Sequence, residues 1–179
     1  VFEMEEGGYI RYNMADPGVR FRVRMSEDIK DRAVAENATL GFVISLTEYF
    51  TGHENDYLSV SPKLDVESLI VPADKIYLDE DGYYYANAVV GNMLEQNLAL
   101  QYSCVAYLTE GETAPIYATY SAEVNSRSWQ DIASVAFFKV PEFRSQTDYA
   151  SFGSEELPVL VNATGYNSYS ALVGLVKSG

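Results

Sequence analysis

The sequence predicts a mainly β fold, an antiparallel β-sandwich with about two short helices. Residues 18–25, GVRFRVRM, alternate strictly between apolar side chains and arginines, the period of a half-buried strand. Further β-branched or alternating runs recur, separated by turn residues. Only 26–37 and 127–138 read as helices by their apolar spacing. At 179 residues and 47% hydrophobic content, the chain can build a good-sized core.

Taken in order, GGYIRYN predicts a first strand, and MADPG the turn into the alternating strand. In 26–37, SEDIKDRAVAEN, Ser26 can cap a helix, Glu27 and Asp28 suit its positive end, and Ile29, Ala33 and Val34 make a stripe. Residues 38–50, ATLGFVISLTEYF, predict a strand running into a loop or short helix, and 51–62 a polar loop. KLDVESLIVPA alternates with one bulge. KIYLDEDGYYYANAVVG reads as strand, turn, strand, and residues 97–124 as a second hairpin of two long strands around Glu110–Ala114. In RSWQDIASVAFF, Ser128 is the N-cap expected for a helix that seats Trp129 against the sheet. The expected organisation is a sandwich domain over 1–138 and a C-terminal extension over 139–179. That extension either packs on its own domain or pairs with a neighbour by strand donation.

Composition excludes several function classes. The net charge of −14 opposes a nucleic-acid partner and an anionic membrane surface. No apolar run approaches the roughly 20 residues of a membrane helix, so no membrane insertion is expected. Cys104 stands alone in LALQYSCVAYL, so no internal disulfide forms and a small buried hydrophobe is expected. The acidic, Tyr-rich, Lys-poor balance suits an extracellular or cell-surface protein of bacteria, archaea or phage. The first residue, Val1, and the ending LVKSG suggest a piece of a longer or processed polypeptide.

Four constellations bear on chemistry. Asp79, Asp81 and Gly82 match part of a calcium loop, but an EF-hand needs ligands over twelve residues and a late glutamate. After Gly82 come three tyrosines, an alanine and an asparagine, so a hairpin turn is preferred and no metal is expected. Tyr83 and Tyr85 share one strand face and, with Trp129, are the candidate carbohydrate-binding residues. Their spacing of about 7 Å is short for stacking successive sugars, which favours cross-strand packing. Arg20, Arg22 and Arg24 are the candidate anion patch, against the simpler expectation of charges paired with carboxylates across strands. His53, the single histidine, lies in a polar loop without a nucleophile-elbow motif. A plain surface histidine is expected, and no cofactor.

Six stretches in order, IRYNMADPGVRFRVRMS, LGFVISLTEYF, DGYYYANAVV, NLALQYSCVAYL, IYATYS and SRSWQDIASVA, resemble an uncharacterised β-sandwich module of large secreted or surface proteins of Gram-positive gut and rumen bacteria. In that module a GIRF-like strand starts the domain and an RS-x-x-[DE]-[IV]-A helix closes it. The likeness covers residues 8–136. It implies an extracellular, non-catalytic role beside adhesive, carbohydrate-active or immunoglobulin-like domains, and supplies no catalytic residues. After Ala136 the chain departs from the pattern.

The function expected is a structural or adhesive module rather than an enzyme. Its partners are neighbouring domains or copies of itself, with polysaccharide as a further candidate. The alternatives are a carbohydrate-binding module using exposed Tyr or Trp and, behind it, a glycan-acting hydrolase with paired carboxylates.

Overall fold

The structure, a computed structural model, describes residues 1–6, 9–11, 18–64, 69–90, 97, 99–128 and 132. Its strands are β1 (Phe2–Met4), β2 (Tyr9–Arg11), β3 (Gly18–Met25), β4 (Ala38–Leu46), β5 (Tyr77–Leu78), β6 (Tyr84–Val90), β7 (Tyr102–Glu110) and β8 (Ile116–Tyr117). Three short helices, α1 (Glu27–Ala33), α2 (Thr47–Phe50) and α3 (Ala122–Asn125), lie among them. The described chain is therefore mainly β, in two antiparallel sheets. One runs β1-β3-β6-β5 with β2 also on β3; the other runs β4-β7-β8.

The chain divides into two compact units. The first comprises Val1–Gly7, Phe21–Ala88 and Gln101–Ser126. The second comprises Gly8–Arg20, Val89–Leu100 and Arg127–Gly179, and its described ladder pairs Tyr9–Arg11 with residues 18–20. The expected boundary at 138/139 and the expected extension lie outside the described residues.

Alternation in β3 works as the sequence predicts. Val19, Phe21, Val23 and Met25 are buried, and the intervening arginines are half-buried on the other face. Each fully buried apolar side chain of this kind contributes about 1.5–3 kcal/mol. On β6, Ala86, Ala88 and Val90 are likewise buried. β4 and β7 behave differently. Their run from Leu40 to Ser45 is buried throughout, as is Tyr102–Ala106, the pattern of strands covered on both faces. Leu40, Phe42 and Ile44 fall on one face. Val43, paired with Val105, falls on the other, where Phe50 of α2 and Val60 of the following loop cover it.

A seam joins the two sheets. Ala118 N–H donates to the Ala106 carbonyl (2.9 Å), while Met4 N–H donates to the Thr119 carbonyl and Thr119 N–H to the Phe2 carbonyl, both at 2.9 Å. Residues 116–119 thus leave β7 and bond to β1 within four residues. The second strand of the hairpin is consequently two residues long, not the long strand expected. Asn125, buried at the end of α3, locks the seam. Its Nδ2 donates to the Glu5 carbonyl (2.9 Å) and its Oδ1 accepts from Ser121 N–H (2.8 Å).

Two other local expectations are corrected. Ser26 occupies the N-cap of α1, but its hydroxyl donates to the Asp28 carboxylate instead of accepting from a helix N–H. α1 ends at Ala33, so Ile29 and Ala33 are buried while Val34, the C-cap, is exposed. Of the strand expected over 63–73, residues 65–68 lie outside the described residues; on either side of them Leu64 N–H donates to the Ile44 carbonyl and Val71 N–H to the Leu40 carbonyl, and Ile70 bridges Gly41. Of the second expected helix only Arg127, Ser128 and Ile132 are described: Arg127 forms a β-bridge, Ser128 is buried, and Ile132 is helical, its N–H donating to the Ser128 carbonyl at 3.1 Å. Trp129 and MADPG lie outside the described residues.

Candidate functional site

The register of β1 on β3 decides what the arginine ladder does. Glu3 pairs opposite Arg24, and Glu5 N–H donates to the Arg22 carbonyl at 2.9 Å. Residues directly opposite on one face stand within about 5.5 Å at Cβ. Arg24 therefore meets the Glu3 carboxylate through Nη2, and Arg22 donates from Nε to Glu5 Oε2 at 2.5 Å. From β6 and the residue before it, Tyr85 and Tyr83 close over the same guanidinium groups. The Arg22 guanidinium carbon lies 4.3 Å from the Tyr85 ring centroid, and that of Arg24 lies 4.6 Å from the Tyr83 centroid. Each row is thus carboxylate, guanidinium, aromatic ring, across three neighbouring strands or the turn beside them. Such a cation–π contact contributes about 0.5–2 kcal/mol, more when partly desolvated.

Burial works against the charge of Arg22, but hydrogen bonds to Glu5 and Tyr77 and the nearby negative charge overcome it, and its pKa rises above the ordinary arginine value. Asp79 Oδ2 stands 3.9 Å from Arg22 Nη1. Two of the three candidate anion-binding arginines are therefore engaged by carboxylates and tyrosines of the same sheet. The third, Arg20, is half-buried in the second unit and also has partners.

Tyr84, on the opposite face, has Lys30 Nζ of α1 at 4.8 Å from its ring centroid. All three consecutive tyrosines thus carry a cation on a ring face. Tyr85 is buried, stacks on Tyr77 (centroids 5.9 Å apart, planes at 27°) and donates its hydroxyl to Asp81 Oδ2 at 2.5 Å. Burial, then this bond to Asp81, push its phenol up to about 12. Tyr83 is half-buried. Of the sequence-predicted carbohydrate residues, the structure therefore brings Tyr83 and Tyr85 to one face, each with a guanidinium over its ring.

The turn uses its acids internally. Gly82 takes φ +83°, a conformation glycine adopts without strain. Its N–H donates to the Asp79 carbonyl (3.0 Å), and Asp79 N–H donates to the Tyr83 carbonyl (3.0 Å). Asp81 Oδ1 accepts from Tyr83 N–H at 2.9 Å. The tyrosine hydroxyl first, then this N–H, hold the Asp81 carboxyl below the usual carboxylate range.

His53 is part of a local cap. Its Nδ1 is 2.9 Å from Ser59 Oγ, and that hydroxyl donates to Asp56 Oδ2 (2.7 Å) and to the Asp56 carbonyl (2.8 Å). In an acyl-transfer triad the carboxylate grips the second ring nitrogen of the histidine; here it takes the serine proton. The three residues close the 3-10 turn Tyr57–Ser59. Cys104 is fully buried, and burial pushes its thiol up, which makes it inert.

A second aromatic group is built from positions the sequence did not single out. Phe50, Tyr57 and Tyr120 form a triangle with centroid separations of 5.6, 5.5 and 5.7 Å, and Tyr117 meets Tyr57 edge-on at 5.1 Å. They cover the outer face of β4 and β7 at Val43 and Val105. The Tyr117 hydroxyl accepts from Leu58 N–H at 3.2 Å, tying the 51–62 loop down. Tyr120 donates to Ser103 Oγ at 2.5 Å, and Thr47 Oγ1 lies 2.9 Å from the same oxygen. Beside the triangle opens a cavity of about 180 Å³, lined by Thr47, Phe50, Thr51, Glu54, Tyr57 and Tyr120 among others. Burial first, then the Glu54 charge, raise the Tyr57 phenol. No signal short of the fold marks these residues, which come from two stretches 60 residues apart, beyond the reach of any local period.

Among the described residues, no group of three or more His, Cys, Asp or Glu is placed to hold a metal ion, and no helix is long and apolar enough to cross a membrane. Compared with models of protein families, with curated proteins and with solved structures, the chain matches none.

Proposed function

We propose that the chain is a non-catalytic structural or adhesive module of an extracellular bacterial surface protein, its two sheets packed as a β-sandwich. The observation that carries this reading is the closure of the charged face on itself. Where the sequence concentrates arginine, glutamate and tyrosine, those groups hold β1, β3 and β6 together through Glu3–Arg24–Tyr83 and Glu5–Arg22–Tyr85. Side chains so engaged serve the persistence of the sheet, which is what a spacing or coupling module requires. Packing of the two sheets is supported by Met4, whose Sδ accepts from Ala106 N–H at 3.3 Å, and by the buried rows of β3 and β7. The resemblance of residues 8–136 to modules of surface proteins supports the compartment, as does the acidic charge of −14. The partners are neighbouring domains or further copies of the chain. Sugar binding through Tyr83 and Tyr85 asks for free ring faces, and a guanidinium lies over each ring.

Affinity electrophoresis of the full chain through gels containing soluble polysaccharides tests the choice between these functions, and antibody labelling of intact source cells tests the compartment. The proposal expects surface labelling with unaltered mobility in every gel. Retardation that Tyr83→Ala abolishes, or labelling only after permeabilisation, overturns it.

A further inference from the structure

The cavity beside the aromatic triangle has a lining whose chemistry is one-sided. Its apolar wall is three aromatic rings. Its polar groups, among the described residues, are the hydroxyls of Thr47, Thr51, Tyr57 and Tyr120 and the carboxylate of Glu54. Among the described residues, no lysine, arginine, asparagine, glutamine or tryptophan contributes to it. Such a lining offers acceptors and ring faces but no charged or amide N–H side chain.

That asymmetry discriminates between ligand classes. An anion finds no cationic donor and a repelling carboxylate. A sugar is held by a ring platform together with both donors and acceptors on several hydroxyls, and the side-chain donors among the described lining residues are hydroxyls alone, with Tyr120 and Thr47 already bonded to Ser103. A cation is matched twice: aromatic faces attract it through their quadrupoles, and a carboxylate at the rim attracts it directly. Glu54 is held in the turn, its Oε1 accepting from Gly52 N–H at 3.4 Å. Gly52 takes φ +83°, so the turn that positions the carboxylate depends on a glycine. The protein's net charge of −14 further raises the local concentration of cations at its surface. The rings touch one another at about 5.6 Å, so they form a floor rather than a cage, and a volume of about 180 Å³ admits a small head group rather than an oligomer.

We infer that this cavity binds a small organic ammonium group, seated on Phe50, Tyr57 and Tyr120 with Glu54 as its counter-charge. The site is separate from the arginine–tyrosine face and does not depend on the module function proposed above.

Tetramethylammonium is the probe, with tert-butanol as a neutral molecule of similar size and glucose as a sugar. Binding to the full chain is followed by the NMR shifts of its aromatic ring protons and by calorimetry. Tetramethylammonium is expected to saturate in the millimolar range, shifting the Tyr57 and Tyr120 signals, with tert-butanol weaker by about tenfold. Glu54→Gln, an exposed substitution, is expected to weaken binding by about three- to tenfold with unchanged thermal stability. Tyr57→Leu keeps an apolar side chain in the cluster and is expected to lose binding about tenfold. Absence of saturable tetramethylammonium binding overturns the assignment. So does equal binding of tert-butanol, indifference to Glu54→Gln, or preferential binding of glucose.

Discussion

The guanidinium carbon of Arg22 sits 4.3 Å from the centre of the Tyr85 ring while its Nε donates to Glu5. One side chain of β3 thereby binds the strands on both sides of it, one by a charge and one by a π face. A lysine keeps the charge but has neither the planar stack nor the fixed direction of the Nε–H. Arg22→Lys is therefore expected to destabilise the fold by about 1–2 kcal/mol. A urea titration with an unchanged m-value checks it.

The burial of Tyr85 and its bond to Asp81 make stability depend on pH at both extremes. Asp81 has a lowered pKa in the folded chain, so its contribution is complete above the ordinary value of 3.8 and is lost as pH falls through the lower folded value. Tyr85 is raised from 10.0 to about 12, so its contribution is complete below 10.0 and is lost as pH climbs through about 12. Tyr85→Phe should shrink the loss at the acid end, since Asp81 then keeps only the Tyr83 N–H. It should also reduce the alkaline loss without abolishing it, because Tyr57, Tyr102, Tyr107 and Tyr120 are raised too. Melting temperatures across pH for the two proteins make the comparison.

Gly41 lies opposite Tyr107, and a Cβ there would stand 2.5 Å from its hydroxyl oxygen and 2.6 Å from Cζ. The phenol lies across the bare backbone of β4. Gly41→Ala is expected to cost about 1–3 kcal/mol, since the ring must leave its strand partner. In a Tyr107→Val background the same change should cost less than about 1 kcal/mol. Equal cost in both backgrounds contradicts the close approach.

Asn125 holds the seam where residues 116–119 pass from β7 to β1. Removing its amide leaves the Glu5 carbonyl and the Ser121 N–H without that partner. Asn125→Ala is expected to destabilise by about 2–3 kcal/mol. Hydrogen exchange should accelerate first at Met4 and Thr119, whose N–H groups form the β1 seam.

What the sequence revealed follows the reach of its signals. The alternation of residues 18–25 located β3 and both its faces, because a period of two is written in consecutive residues. The Asp81–Gly82 turn was legible for the same reason. The partners of the arginines were not, since β1 is three residues long and the alternation from Phe2 to Glu5 is too short to mark a strand or its neighbour. The double burial of β4 was hidden: GFVISL is apolar on both faces, but what covers Val43 is a loop arriving from residues 50–60. The aromatic triangle lies furthest from local reading, because Phe50 and Tyr57 meet Tyr120 only once β4, β7 and β8 have paired. Ser26 shows the opposite failure, a correct cap position whose hydroxyl found a nearer acceptor in Asp28.

The account turns on whether the rows across β1, β3 and β6 act as units. A double-mutant cycle between Arg22→Met and Tyr85→Leu, read by equilibrium urea unfolding, measures this directly. The account predicts a coupling energy of about 1 kcal/mol or more between the two positions. Additivity to within about 0.3 kcal/mol would show that the guanidinium and the ring are neighbours without being partners.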